Sequence, residues 1–135
     1  MTTHQQKILI VDDQPGIRRL LTEVLTAEGY DVLAAANGFD ALNLAAENKP
    51  DVILMDMNMP GMNGMDALKE IERKGYQGRV IMMTAYGEIA TVKEIMSTGT
   101  RSYITKPFDI NLLLEMIQQA LEGSEPEITE RLLIG

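Results

Sequence analysis

The sequence predicts a three-layer α/β domain, in which a doubly wound sheet of five parallel strands is covered by helices on both faces. Two observations indicate this class. Three short apolar runs, at residues 7–13, 51–56 and 79–84, show no polar alternation, as is typical of strands buried on both faces of a parallel sheet. Segments with apolar residues at helical spacing separate these runs, so strands and helices alternate and right-handed crossovers are expected.

The first half of the chain carries clear signals for where its helices begin and end. The first crossover helix begins near Pro15 and ends at Gly29, because proline suits the first turn of a helix and glycine its carboxyl end. A weaker second strand follows at residues 31–36. The next helix, at residues 38–48, has small and apolar residues on one face and ends before Pro50.

The second half of the chain completes the alternation. Helices are predicted at residues 65–74, 88–98 and 110–121, and a short fifth strand at residues 101–105. A chain of 135 residues can bury roughly two thirds of the surface that it exposes when unfolded, which is enough for one hydrophobic core. We therefore expect one domain over residues 7–122, followed by a tail or linker at residues 123–135.

The composition excludes several classes of protein. The chain has no cysteine and a single histidine, His4, which excludes disulfides, thiolate zinc sites and histidine-rich metal centres. No apolar stretch approaches the roughly 18 residues of a membrane span, and the first residues lack the layout of a signal peptide. The net charge of -8 disfavours direct contact with nucleic acid phosphates. We expect a cytoplasmic protein whose partners are proteins or cations, without nucleic acid or membrane.

Polar side chains with distinctive chemistry lie where the predicted strands end. They are Asp12, Asp13, Asp56, Thr84 and Lys106. Ligands of parallel sheets bind at the carboxyl ends of the strands, so these side chains should meet in one crevice. A single aspartate there often only caps the next helix. Three converging carboxylates, however, repel one another by about 1 kcal/mol per pair in water, and by up to roughly 4 kcal/mol at an effective dielectric of 20.

Such repulsion requires positive charge among the three acids. Lys106 supplies one positive charge. A cluster of carboxylates without histidine or cysteine offers only hard oxygen ligands, and for these Mg²⁺ is the expected ion. The sequence therefore predicts a magnesium site at the carboxyl edge of the sheet.

Five motifs follow one another along the chain. They are Val11-Asp12-Asp13-Gln14, Leu54-Met55-Asp56-Met57, Met59-Pro60-Gly61-Met62-Asn63-Gly64, Met83-Thr84-Ala85-Tyr86-Gly87 and Thr105-Lys106-Pro107-Phe108. In identity, order and spacing they resemble the receiver domain of two-component response regulators, and the resemblance covers residues 7–122. It implies a flavodoxin-like (βα)5 fold with strand order 2-1-3-4-5.

The resemblance also implies a role for each acid. Asp56 would accept a phosphoryl group, and the chain would catalyse its own phosphorylation with Mg²⁺. Asp12 and Asp13 would hold the ion, one directly and the other partly through water, together with Asp56 and the backbone carbonyl of Asn58. A carboxylate is already an anion at pH 7, so the acceptor needs no general base.

Further roles follow from the resemblance for residues on the last two strands. Thr84 and Lys106 would bind phosphoryl oxygens, and Tyr103 resembles an aromatic switch whose ring moves inward as the Thr84 hydroxyl engages the phosphoryl group. A plain half-buried strand tyrosine is the alternative. The family uses a cis peptide between Lys106 and Pro107, whereas the general preference of X-Pro bonds favours trans.

Within the family the chain most resembles the stand-alone receivers of the sporulation phosphorelay of endospore-forming bacteria. Such a protein takes a phosphoryl group from a sensor histidine kinase and passes it to a histidine phosphotransferase, and we expect a monomer or weak dimer. Candidates for contact with these partners lie on the rim of the crevice: Gln14, Pro15, Gly16, Ile17, Pro107 and Phe108. Ile17 also begins the apolar stripe of its own helix, so burial in the core is an equal alternative.

Two other functions compete with the relay. The chain could be a receiver cut from a longer sigma-54-dependent transcriptional activator, whose assembly it would control. A flavodoxin-like or haloacid-phosphatase-like enzyme ranks lower, because no Ser/Thr-rich loop follows the first strand. The segment Asp56-Met57-Asn58 also lacks the second acid that a phosphatase uses for acid–base chemistry.

Overall fold

The computed structural model describes residues 5–85, 102–107 and 109–123. This part of the chain contains five strands: β1 (Lys7–Val11), β2 (Asp31–Ala35), β3 (Val52–Asp56), β4 (Arg79–Ala85) and β5 (Ser102–Lys106). It also contains four helices: α1 (Pro15–Ala27), α2 (Gly38–Asn48), α3 (Gly64–Arg73) and α4 (Ile110–Leu121). Four of the sequence predictions lie outside the described residues: those for His4, the helix at 88–98, Phe108 and the tail at 124–135.

The strands form one parallel sheet in the order β2-β1-β3-β4-β5, which confirms the predicted flavodoxin-like topology. The chain winds outward from β1 in one direction to β2, and from β3 in the other direction to β5. The order reverses between β1 and β3, and a sheet of this kind opens a crevice at that point beyond the carboxyl ends of its strands.

The central strands are buried on both faces because two separate hydrophobic clusters pack against the sheet. In β1, Leu9 and Val11 belong to the cluster beneath α2 and α3. Ile8 and Ile10, which alternate with them, belong to the cluster beneath α1 and α4. This arrangement explains the uninterrupted apolar runs in the sequence, since both sets of side chains of a strand are in a core.

The second strand is the exception, and its position explains its weaker pattern. β2 lies at the edge of the sheet, where Asp31 and Ala34 are exposed and only Ala35 is buried. An edge strand needs fewer apolar residues because it is covered less completely.

Helix ends follow the expected chemistry. α1 begins at Pro15. Gly29, two residues after the end of this helix, adopts a φ of +94°. α3 begins at Gly64, one residue before the predicted start, because the side chain of Asn63 accepts a hydrogen bond from the Asp66 N–H at 2.9 Å. No helix in the described ranges is both long enough and apolar enough to cross a bilayer.

Three predicted strands were slightly too long, and β2 ends at Ala35, one residue before its predicted end. β1 ends at Val11, before the acidic pair. β3 begins at Val52, after Asp51, whose carboxylate accepts a hydrogen bond from the Lys7 N–H at 2.8 Å instead of entering the strand. Asp12 accepts a hydrogen bond from the Gln14 N–H just beyond β1, whereas the bond from Lys7 ties Asp51 to the first residue of β1.

Candidate functional site

The register of the parallel strands aligns their carboxyl ends at one edge of the sheet. Met55 of β3 lies opposite Val11, the last residue of β1, and Asp56 lies opposite Met83 of β4. On the next pair, Ala85 of β4 lies opposite Lys106 of β5. The candidate site residues therefore lie at the same edge of the sheet, at the ends of β1, β3, β4 and β5.

Three carboxylates meet at this edge. One oxygen from each of Asp12, Asp13 and Asp56 lies within 4.8 Å of the others. Asp12 and Asp56 are buried, whereas Asp13 is more exposed. Burial of two acids so close together costs free energy unless a cation or hydrogen-bond donors compensate their charge.

Backbone N–H groups supply part of this compensation. The N–H of Gln14 donates to Asp12 Oδ1 at 2.9 Å, and the N–H of Asn58 donates to Asp56 Oδ1 at 3.2 Å. Each donor lies two residues beyond the acid that it contacts. The turns that leave β1 and β3 thus fix the orientation of both carboxylates.

Lys106 supplies a full positive charge. Its Nζ lies 2.7 Å from Asp12 Oδ2 and 3.3 Å from Asp56 Oδ1, and its side chain is 20% exposed. Burial alone would lower the pKa of Lys106, but its hydrogen bond to Asp12 and the charges of both carboxylates outweigh burial and raise that pKa. The ammonium therefore stays charged and bridges the two buried acids.

The charge of Asp56 is not fully compensated. Burial, and then the negative charge of Asp12, raise the pKa of Asp56 to about 6, although the Asn58 N–H and Lys106 act in the opposite direction. The ionised carboxylate is thus a higher-energy species at neutral pH than an exposed aspartate would be. A further cation would relieve this cost.

The donor set fits Mg²⁺. Three carboxylates share one ammonium, so the site keeps surplus negative charge, and its ligand atoms are hard oxygens. Asp12, Asp13 and Asp56, with the backbone carbonyl of Asn58, are the residues that would hold the ion.

Close packing of backbone positions the acceptor strand relative to α3. The Gly64 N–H donates to the Met57 carbonyl at 3.0 Å, and the Met57 N–H donates to the Met83 carbonyl at 2.9 Å. A Cβ on Gly64 would clash with the carbonyl oxygen of Asp56, and it would lie 2.9 Å from Met57 Cα. Only glycine allows α3 to begin this close to Asp56.

The sequence analysis missed one contact to the site. Arg18 Nη1 donates a hydrogen bond to the backbone carbonyl of Asp12 at 2.9 Å. A signal was present, because a basic residue in the first turn of a helix is disfavoured by the helix dipole unless it has a partner beyond the helix. Arg18 supports the backbone that presents Asp12 and does not touch the carboxylate cluster.

The remaining candidates differ in burial. Thr84 is 1% exposed and Tyr103 is 4% exposed, the latter within the cluster beneath α2 and α3. Gln14, Pro15, Gly16, Asn58 and Pro107 are exposed. Ile17 is partly buried and packs against the cluster beneath α1 and α4. The Lys106–Pro107 bond is cis, so the general expectation of a trans bond was wrong and the family pattern holds.

Comparison with known proteins identifies relatives for most of the chain. Residues 8–118 match the sequence model of a family described as the response regulator receiver domain. Sporulation initiation phosphotransferase F of Bacillus subtilis is 45% identical over 116 residues, which cover 86% of this chain and 94% of that protein. Regulatory protein AtoC of Escherichia coli is 43% identical over 116 residues, but these cover only 25% of its length.

Solved structures give the same result. The structure of chemotaxis protein CheY4 from Vibrio cholerae superimposes with a TM-score of 0.82 at 32% identity, over 87% of this chain and 100% of that one. The receiver domain of the Francisella response regulator 1452 also superimposes with a TM-score of 0.82, at 29% identity, over 87% of this chain and 98% of that one.

Proposed function

Because the chain belongs to the receiver-domain family of two-component response regulators, we propose that Asp56 accepts a phosphoryl group from the phosphohistidine of a sensor histidine kinase. The observation that supports this role best is the charge around Asp56. Its carboxylate lies within 4.8 Å of those of Asp12 and Asp13 and 3.3 Å from the Lys106 ammonium. Asp56 alone among these acids ends the middle strand of the crevice, between β1 and β4.

The transfer forms a bond between an Asp56 carboxylate oxygen and phosphorus, while the bond between phosphorus and the histidine nitrogen breaks. Negative charge on the three equatorial phosphoryl oxygens must be stabilised as this happens. Lys106, the Thr84 hydroxyl and the Ala85 N–H are the donors that serve these oxygens. When bound, Mg²⁺ supplies positive charge that shields the carboxylate acceptor from the incoming anion.

Thr84 and Tyr103 report the phosphorylated state to the rest of the domain. The Thr84 hydroxyl engages the phosphoryl group, and the Tyr103 ring adjusts with it. Support comes from register: Thr84 lies opposite Thr105 of β5, two residues beyond Tyr103. The two strands that carry these residues are hydrogen-bonded neighbours.

The chain acts in a sporulation-type phosphorelay. It passes the phosphoryl group from Asp56 to a histidine of a downstream phosphotransferase in the cytoplasm, as a monomer or weak dimer. The similarity to sporulation initiation phosphotransferase F over 94% of that protein supports this role. The domain spans residues 7–122, and residues 123–135 form a tail or linker.

The similarity to AtoC favours a second candidate. The matched region is a quarter of AtoC, so the same sequence also fits the receiver of a longer regulatory protein, which we propose is the sigma-54-dependent activator considered in the sequence analysis. The length of the native open reading frame distinguishes the two functions, since only the activator requires an ATPase domain after the receiver.

Partners dock on the rim of the crevice. Exposed Gln14, Pro15 and Gly16 at the start of α1 and exposed Pro107 after β5 lie beside the acidic cluster. Ile17 adds an apolar side chain that is only partly buried. Phe108, which follows Pro107 in the sequence, is the last residue of the proposed docking surface. A donor helix that contacts this rim brings its histidine to Asp56 while the crevice stays open.

Mass spectrometry after incubation with acetyl phosphate and Mg²⁺ tests the acceptor. We expect one added phosphoryl group on the wild type and none on Asp56→Asn. Asp31→Asn, at the exposed start of β2, is the matched control and should be labelled normally. Persistent labelling of Asp56→Asn would refute the assignment.

Phosphotransfer profiling then tests the relay. Purified phosphorylated protein is mixed with a panel of histidine phosphotransferases, and loss of its label should match gain of label on a histidine. If every phosphotransferase in the panel stays unlabelled while the aspartyl phosphate simply hydrolyses, the relay role is wrong.

A further inference from the structure

A cavity of about 520 Å³ lies at the amino-terminal edge of the sheet, opposite the acidic site. It opens between the carboxyl ends of α2 and α3, and its apolar wall includes Leu42, Ala45, Ile71 and Tyr76. Small-molecule sites in proteins have volumes of roughly 300 to 1,000 Å³. The cavity therefore has the size of a ligand site, although the phosphorylation chemistry does not use it.

One wall of the cavity is fixed in place. The Tyr76 hydroxyl donates a hydrogen bond to the Pro50 carbonyl at 2.7 Å. The same ring packs so closely on Gly78 that a Cβ at that position would clash with it. Tyr76 is thus held between two backbone segments, and the pocket is formed before any ligand arrives, which lowers the entropic cost of binding.

Two lysines stand at the mouth of the cavity. Lys49 and Lys74 directly follow α2 and α3, and both are exposed. Lys49 adopts a φ of 48° and is the only non-glycine residue with positive φ in the described ranges. This left-handed conformation ends α2 and favours glycine, so Lys49→Gly removes the ammonium without straining the backbone.

Stabilisation of helix ends does not account for these lysines. Cations commonly lie near the carboxyl end of a helix, where carbonyls lack partners. Here carbonyls in the last turn of each helix already accept hydrogen bonds: Leu44 from the Asn48 side chain, Ala45 from the Lys49 N–H and Ile71 from the Tyr76 N–H.

The lining of the cavity contains two lysines but only one carboxylate, so its charge is positive on balance. Asp51 lines the cavity, but its Oδ2 accepts the hydrogen bond from the Lys7 N–H that ties it to β1. The two lysines therefore outnumber the acid, and the charge at the mouth complements an anion.

We propose that this cavity binds a small organic anion. Its apolar body packs against Leu42, Ile71 and Tyr76, and its anionic head pairs with the ammonium groups of Lys49 and Lys74. Asp51, which lines the cavity, and Asp56 are five residues apart along an extended segment, a distance of about 16 Å, so binding does not depend on the phosphorylation chemistry.

The fluorescent probe 8-anilinonaphthalene-1-sulfonate has the required chemistry, an aromatic body with one anionic group. Titration of the folded protein should give a saturable fluorescence increase with one site per chain. We expect Lys49→Gly and Lys74→Gln each to weaken binding at least about threefold and the double variant at least about tenfold, with a weaker affinity at high salt. Lys49→Gly suits the positive φ, so its loss of affinity cannot arise from unfolding.

Three further variants make the test decisive. Ala46→Trp places a large side chain in the cavity and should abolish binding, while Arg19→Gln on α1 removes an exposed charge elsewhere and should leave affinity unchanged. Asp56→Asn should bind the probe like the wild type, which separates this site from the proposed acceptor. No saturable binding to the folded wild type, full binding by folded Ala46→Trp, or equal losses in Arg19→Gln and the lysine variants would overturn the proposal. Urea unfolding confirms that each variant is folded.

Discussion

Lys106 is bonded more closely to Asp12 than to Asp56, since its Nζ lies 2.7 Å from Asp12 Oδ2 and 3.3 Å from Asp56 Oδ1. Before phosphorylation, therefore, the ammonium mainly neutralises a proposed metal ligand. Asp12 is fully buried, so this pair compensates a charge that water cannot reach. In the proposed reaction, Lys106 would share its charge between Asp12 and the phosphoryl oxygens.

Removal of this ammonium should destabilise the domain strongly. In Lys106→Met, Asp12 and Asp56 stay buried without their cation, and the loss of one partner from a buried pair costs about 3 to 5 kcal/mol. Lys106 is partly exposed, so we expect the lower end of that range in the unfolding free energy at pH 7 without divalent ions. Urea denaturation measures the change.

The double variant Lys106→Met/Asp12→Asn is the control, because it removes the unpaired charge as well. Its stability should recover toward that of Asp12→Asn alone. If the double variant loses as much as the sum of the two single variants, Lys106 and Asp12 do not interact energetically.

The raised pKa of Asp56 predicts a pH dependence of stability without metal. Its carboxyl has a pKa of about 6 in the folded protein and of about 3.9 in an unfolded chain, so the folded state binds more protons between these values. The unfolding free energy of the wild type should therefore fall by about 2 to 3 kcal/mol, relative to Asp56→Asn, as the pH rises from about 4 to about 6. Lys106 titrates far above this window.

Urea unfolding of both proteins in a chelator measures that difference at each pH. Subtraction of the Asp56→Asn curve cancels carboxylates that titrate in both proteins. A difference that stays constant from pH 4 to pH 7 would show that folding does not raise the pKa of Asp56.

Mg²⁺ should stabilise the fold because it offsets repulsion among the three acids. At ten times its dissociation constant, an ion that binds only the folded state adds about 1.4 kcal/mol. We expect the melting temperature to rise with Mg²⁺ in the wild type and much less in Asp13→Asn. Asp31→Asn, at the opposite edge of the sheet, should respond like the wild type, and an equal response of Asp13→Asn would remove that residue from the metal site.

Gly64→Ala should perturb the acceptor. The new Cβ would clash with the Asp56 carbonyl oxygen, so β3 and α3 must separate, at a cost of about 2 kcal/mol or more in stability. Labelling by acetyl phosphate should slow at the same time.

Gly16→Ala is the matched control for that variant. Gly16 also lies in the first turn of a helix, but a Cβ there meets nothing within 4 Å. Its stability should stay equal or rise by up to about 1 kcal/mol. If Gly64→Ala behaves like Gly16→Ala, close packing at Gly64 does not position Asp56.

The ends of the predicted strands indicated most of the site. The parallel sheet and the convergence of Asp12, Asp13 and Asp56 follow from the alternation of apolar runs and from where each run ends, whereas the order of the strands was predicted from the resemblance to receiver domains. Such positions can be read from the sequence because every strand of a parallel sheet carries its last residues to the same edge.

Contacts made through backbone atoms could not be predicted in this way. The bond from Arg18 to the Asp12 carbonyl and the packing of Gly64 on Asp56 depend on how closely two elements approach. Hydrophobic periodicity reports which face of a helix is buried, but not its distance from a strand. For the same reason periodicity could not decide between docking and core roles for Ile17.

Ile17→Ala addresses that question. A docking role predicts that transfer from a cognate kinase slows at least about tenfold, equivalent to about 1.4 kcal/mol, while acetyl phosphate still labels Asp56 at the normal rate. Val24→Ala, a partly buried residue further along α1, controls for loss of core packing. Equal slowing with both phosphodonors, or a large drop in melting temperature, would assign Ile17 to the core.

In the part of the chain that the structure describes, the buried sheet divides the interior into two compartments that share no side chains. α1, with the proposed partner rim at its start, rests on one compartment, while α3, whose first residue abuts Asp56, rests on the other. β3 contributes Leu54 to the first compartment and Met55 to the second, so the strand that ends at Asp56 is packed from both faces. A change of side-chain volume in either compartment therefore shifts the end of β3 unless the neighbouring side chains repack around it.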